Sequence, residues 1–128
     1  MSDNMLADIQ GKLTTGGLTN ITYGDEPDSP IVITILHEYA GRPPGRTHHT
    51  RTSKPGLQVV ARANDWTAAR ARLQAVEDII DGLENTIIGG TDYISIMSIQ
   101  GIAPLGWSKE AYGRVIRLAQ NYEVERAR

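Results

Sequence analysis

No cysteine occurs among the 128 residues. Its absence excludes a disulfide framework, a zinc-thiolate cluster and a thiol nucleophile together, and predicts an intracellular protein or an assembly partner from a reducing compartment. No apolar run approaches the roughly 20 residues a membrane-spanning helix needs. The segment from Met1 to Asn20 has neither the basic start nor the apolar block of a secretory signal. The expectation is a soluble, untargeted chain with no membrane partner. An excess of one charge is also missing, because 13 Lys and Arg oppose 15 Asp and Glu for a net charge of −2. A domain that binds nucleic acid freely is usually net basic.

What is present is one domain, residues 1–128. At 14.0 kDa, area scaling has the folded chain bury roughly two-thirds of the surface its unfolded form exposes, enough for a core without covalent staples. The near-neutral total conceals segregation. Residues 1–30 carry −4, 31–40 carry −1, 41–72 carry +6, 73–92 carry −5 and 93–128 carry +2. Opposite blocks on one small fold suit surfaces that meet complementary surfaces, on another copy or on a different protein.

Hydrophobic spacing organises the chain. Leu6, Ile9 and Leu13 fall on one helical face, predicting a helix over Asp3 to Thr14 that Gly16-Gly17 ends. Ile21 to Tyr23 reads as a short strand, and Gly24 to Pro30 as an acidic turn-rich loop. Ile31 to Ala40 is the clearest strand, with Ile31, Ile33, Ile35, His37 and Tyr39 on one face and Val32, Thr34, Leu36 and Glu38 on the other. Gly41 to Pro55 follows as a structureless, acid-free arm carrying Arg42, Arg46, Arg51, Lys54, His48 and His49. So long a connection suits a functional, mobile arm better than a passive link. Gly56 to Ala63 returns as a strand, so that the arm projects from a hairpin.

Asp65 then caps a second helix, in which Trp66, Ala69, Leu73, Val76, Ile80 and Leu83 form an apolar stripe. Trp66 and Leu73 are its expected anchors. Arg70 and Arg72 lie near the start of its other face, and Glu77, Asp78, Asp81 and Glu84 near the end. This order opposes the helix dipole, so the charges either serve contacts or form a solvated face. After Gly89-Gly90, Tyr93 to Ile102 is strand-like with a phase switch that suggests a bulge. Pro104 to Gly113 reads as a loop, and Val115 to Glu125 as a final strand with Ile116, Leu118, Tyr122 and Val124 on one face. Helix, strands, helix, strands predicts an α+β domain, with two helices packed on one face of a mainly antiparallel sheet and a long projecting hairpin loop.

Catalytic and metal-binding chemistry find little support. His48 and His49 are adjacent and lack the i, i+4 helical spacing of common zinc sites. His37 reads as a hydrogen-bonded structural histidine. None of Ser29, Ser53, Ser95, Ser98 or Ser108 sits in a nucleophile elbow, and the glycine pairs match no phosphate-binding motif. Asp25, Glu26 and Asp28 read as a solvated turn. No catalytic residue, cofactor or metal is expected. The basic arm stays open to three readings: phosphate contacts without the aromatic stacking that holds single strands, a solubilising loop, or a docking element for the acidic stretch Glu77 to Asp92 of a neighbouring copy. The last is head-to-tail, and such contacts make a ring when they close.

Several stretches in order carry a family resemblance. They are Ile-Val-Ile-Thr-Ile-Leu-His-Glu-Tyr-Ala-Gly-Arg-Pro-Pro from Ile31, Lys-Pro-Gly-Leu-Gln-Val-Val-Ala-Arg-Ala from Lys54, the helix from Asp65, Gly-Thr-Asp-Tyr-Ile-Ser-Ile from Gly90, Ala-Pro-Leu-Gly from Ala103, Gly113-Arg114, and Asn121-Tyr122-Glu123-Val124. Across residues 3–125 the pattern resembles the minor capsid proteins of long-tailed bacteriophages, which are similar to tail terminators, also called tail completion or tail-to-head joining proteins. The resemblance implies a homo-oligomeric ring, typically hexameric, that caps the completed tail tube, ends its polymerisation and presents a surface to the head connector. It implies partners in the tail tube protein and the head completion or connector protein, with genomic DNA passing through the lumen without specific binding. It also implies a place in the virion after assembly in the host cytoplasm. A head-side connector or stopper is the nearest alternative, and a small nucleic-acid-binding module using the arm is one of a different class. The candidate assembly contacts are Arg42, Arg46, Arg51 and Lys54 against Glu77, Asp78, Asp81 and Glu84.

Overall fold

The computed structural model describes residues 5–23, 32–42, 52–110 and 113–127. Its elements in chain order are α1 (Met5–Thr15), β1 (Ile21–Tyr23), β2 (Ile33–Arg42), β3 (Thr52–Ala63), α2 (Trp66–Ile80), β4 (Leu83–Ile88), β5 (Thr91–Ser98), β6 (Ala103–Glu110) and β7 (Gly113–Ala127). The strands form one sheet in the order β1-β2-β3-β7-β5-β4, with β6 pairing β7 beside this path. Only the β1–β2 pair is parallel among the described pairs. This is the expected α+β class with a mostly antiparallel sheet.

β7 is the spine of that sheet. One edge pairs β3 from Ile116 to Ala127. The other pairs β6 between Gly113 and Ala119, then β5 between Tyr122 and Arg126. Alternation along β7 follows the expected phase: Ile116, Leu118, Tyr122 and Val124 are buried in one core with Leu57, Val59 and Ala61 of β3. Met5, Ile9 and Leu13 of α1 and Ala69, Leu73, Val76 and Ile80 of α2 complete it. On the opposite phase, Ile33, Ile35, Val60 and Ala119 form a smaller cluster.

The end of α2 is set by side-chain and backbone chemistry. Asp65, extended at φ −143°, accepts the Ala68 N–H at 2.7 Å as an N-cap. This satisfies one of the donors a helix start leaves free. The helix stops at Ile80 because Gly82 turns to φ +83° and gives its N–H to the Ile96 carbonyl at 2.8 Å. Leu83 therefore belongs to β4, and the six residues that follow Gly82 form a strand that the apolar pattern alone did not separate from the helix.

Four further expectations are corrected. Trp66 is 47% exposed and is no anchor; it occupies the first helical position and lines a surface groove with Pro104 and Leu118. The segment from Pro104, expected to be a loop, is the strand β6; its proline is tolerated because β6 pairs on one edge only, and its register shifts between Pro104 and Gly106, which has φ +118°. β5 ends at Ser98, short of Ile102. The ends of the arm are not structureless either: β2 reaches Arg42 and β3 begins at Thr52, with Arg42 opposite Lys54. A register shift between Tyr39 and Arg42 lets Pro55 lie within β3 without a ladder partner of its own. The remainder of the arm and the loop Gly24 to Pro30 lie outside the described residues.

A buried polar contact ties α1 to the sheet. Asp8 is 6% exposed and accepts a 2.7 Å hydrogen bond from the Tyr93 hydroxyl. Arg126 Nη1 donates in turn to the Tyr93 hydroxyl oxygen at 3.5 Å. Burial and the Asp8 carboxylate push the Tyr93 phenol above its ordinary range, and burial beside Glu77, Asp81 and Asp78 does the same to Tyr122. The unfolded phenols ionise near 10.0 while the folded ones hold their protons. Stability is therefore fully present below that pH and falls as pH rises through it. Thermal melts against pH should show a flat midpoint to about pH 9 and a decline beyond it, shallower in Tyr93→Phe. Packing makes a separate prediction. Leu73, fully buried, should cost about 2–5 kcal/mol as Leu73→Ala in urea unfolding, whereas the half-exposed Trp66 should cost about 1 kcal/mol or less as Trp66→Ala.

Candidate assembly interface

The two ends of α2 differ in charge and shape, and they stand about 20 Å apart by helical rise. At the first end, Trp66, Thr67 and Arg70 face Ile102, Pro104 and Leu118 across a groove of about 210 Å³. Leu105 is exposed beside it. Arg72, two residues on, reaches back to the Thr19 carbonyl at 2.7 Å, and its partial burial lowers its pKa.

At the far end the acidic residues gather, though not all on the helix as expected. Glu77 and Asp78 are on α2, Asp81 follows it, and Glu84 lies on β4. Asp81 accepts the Ser98 N–H at 2.7 Å, fastening the helix end to β5. Asp78 accepts from Gln74 at 3.1 Å along the exposed helix face. Glu77 turns inward and accepts from Gln120 Nε2 at 3.1 Å. The field of Glu77, Asp81 and Asp78 is felt at Tyr122, where it adds to burial in holding the phenol protonated.

Beyond these acids projects the β4–β5 hairpin. Ile88 and Thr91 close a two-residue turn, Gly89-Gly90, with φ +59° and +82°. Positive φ at both central residues matches the right-handed strand twist and strongly favours glycine. A side chain at Gly89 would also collide with the Asp8 carboxylate. On this braced hairpin Ile87 is 73% exposed, directly opposite the exposed Asp92.

The expected basic partners are less gathered. Lys54 is half-buried on β3 and Arg42 ends β2; Arg46, Arg51, His48 and His49 lie outside the described residues. The described chain does not bring the basic set and the acidic set together. His37 sits half-exposed on β2, opposite Gln58. Among the described residues no three of His, Asp and Glu come close enough to hold a metal ion, and no helix is long and apolar enough to cross a membrane.

Sequence reasoning missed Trp66 and Ile87 as surface residues and Gln120 as a buried one. Gln120 is 2% exposed on the core phase of β7, between Leu118 and Tyr122. A polar residue in an apolar phase was the available signal, since a buried amide requires a partner. Glu77 and Gln120 thus form a structural pair, and the acids differ in what their loss should do. Glu77→Ala should destabilise the monomer by about 1–2 kcal/mol, because the buried amide loses its carboxylate acceptor. Asp78→Ala and Glu84→Ala should change stability by about 0.5 kcal/mol or less. Chemical unfolding of the three variants separates the two behaviours.

A family model described as bacteriophage tail terminator protein matches residues 3–124. Among solved structures, a chain from the virion of a native gene transfer agent particle superposes with a TM-score of 0.57 at 11% identity, over 99% of this chain and 87% of that one. At that identity the likeness concerns the fold. None of the curated proteins matches the sequence.

Proposed function

This chain belongs to the bacteriophage tail terminator family, and from that membership we propose that copies of it form a ring, hexameric in the simplest case, which caps the completed tail tube. The match across residues 3–124 is the observation that carries this reading. Growth of a tube ends when a protein fits the exposed end with one face and offers no equivalent end on the other. Such a task calls for shape and charge complementarity and no catalytic step.

The opposed ends of α2 support the reading, because an apolar groove bearing Arg70 and an acidic, apolar-tipped hairpin on one domain favour head-to-tail contacts over self-complementary ones. The free face of the ring would receive the head completion or connector protein, and genomic DNA would pass through the lumen without a specific site. The basic residues Arg42, Arg46, Arg51 and Lys54 would contribute to contacts between copies or with the tube. Assembly would take place in the host cytoplasm, and the finished ring would remain at the head–tail junction of the virion.

Light scattering of the purified protein in low and moderate salt, followed by negative-stain imaging with tail tubes, tests the proposal. The expected results are a ring-sized species and decorated tube ends that no longer elongate. Monomers that never decorate tube ends, or co-purification with the head-side connector in place of the tube protein, would overturn it.

A further inference from the structure

We propose that the groove at the start of α2 is the receptor for the β4–β5 hairpin of a neighbouring copy, with Ile87 as the inserted side chain and Arg70 facing Asp92 across the contact. This rests on the reading that copies of the chain assemble, and it specifies the surfaces that do so.

The size of the groove favours a side chain over a small molecule. Its 210 Å³ falls below the roughly 300–1,000 Å³ of typical small-ligand sites. Its walls are apolar, from Trp66, Ile102, Pro104 and Leu118, and its charged wall residue is Arg70. The hairpin is the complementary object. Ile87 is the most exposed of the large apolar side chains among the described residues. It stands on an edge strand whose outer side pairs with no other described strand, a position that natural proteins usually cover or protect. Asp92 lies directly opposite it and Glu84 three residues before it, both exposed. An apolar tip flanked by acids thus matches an apolar cleft bearing an arginine.

Position decides which copy supplies the hairpin. Groove and tip lie toward opposite ends of α2, so that one domain cannot fill its own groove. The contact is heterologous, and repeating it gives a ring or a filament according to the rotation per copy. Preorganisation assists: the Gly89-Gly90 turn and the Asp8–Tyr93 contact beneath it hold the tip in shape before docking.

Charge reversal in the full chain tests the contact without relying on the core, because Arg70 and Asp92 are both exposed. Arg70→Glu and Asp92→Arg should each weaken self-association at least tenfold by light scattering in moderate salt, and Ile87→Asp should abolish it. All three should keep the circular dichroism and melting temperature of the parent. A mixture of the two single charge variants in equal amounts should restore the assembly, since each groove then meets a hairpin of opposite sign. The double variant Arg70→Glu/Asp92→Arg should assemble with itself and not with the parent. If the parent assembles but the single variants assemble equally well, or the mixture stays apart, the groove–hairpin contact is wrong while the assembly reading stands. If Arg70→Glu assembles normally yet no longer decorates tube ends, the groove receives the tube protein and the proposal falls. If the parent itself remains monomeric both alone and with tubes, the two readings fall together.

Discussion

The pairing of β7 along both of its edges is the constraint on which the rest of the molecule depends. Its 15 residues hold β3 on one side and, on the other, first β6 and then β5. Through β3 they hold β2 and β1, and through β5 they hold β4. A one-residue slip in β7 would turn Ile116, Leu118, Tyr122 and Val124 away from the core and expose them together. The burial of Gln120 in the same phase adds a polar check on the register, because only the native alignment places its amide against Glu77. The groove and the hairpin are both outgrowths of this strand's neighbours, so their separation is fixed by the sheet and does not depend on a flexible joint.

Much of this was legible in residue spacing, and the failures have physical causes. The Asp65 cap and the stripe Ala69, Leu73, Val76 and Ile80 specified α2, because cap chemistry and helical period agree. Alternation specified the buried face of β7, because its period matches the pleat. Leu83 fell in helical phase and so disguised the start of β4; only the glycine at 82, in a backbone conformation that other residues avoid, marks the boundary. Gly89-Gly90 between two β-branched runs is a hairpin signal of the strongest short-range kind, which a helical stripe carried as far as Leu83 left no room for. Pro104 argued against a strand and was overruled because β6 pairs with no described strand besides β7. Trp66 obeyed the stripe yet lies on the rim of a groove against β6 and β7, a matter of tertiary placement that no local pattern contains. Of the site, the charge blocks were legible and their geometry was not: four acids read as one helix face are divided among a helix, its cap and a neighbouring strand.

That division changes what the acidic block is for. A run of carboxylates at a helix C-terminus opposes the dipole, a cost of a few tenths of a kcal/mol per exposed group. Asp81 offsets its share by accepting the Ser98 N–H, and Glu77 by accepting from Gln120. Asp78, Glu84 and Asp92 are left facing solvent. Part of the block therefore stabilises the monomer and part is available to a partner, a distinction that net charge by segment hides.

The order of strands in the sheet also has a kinetic meaning. β7 follows every other element of the described chain, yet it lies at the centre of the sheet, joined to β3 by contacts spanning some 60 positions of sequence. Such non-local pairing is slow compared with local helix or hairpin formation. While the ribosome is still making β7, at roughly 5–20 residues per second, β3 and β5 have no common partner. The groove, which takes Leu118 of β7 as one wall, does not exist in a partly made chain. Under the proposed contact, association of copies through the groove waits until β7 is in place.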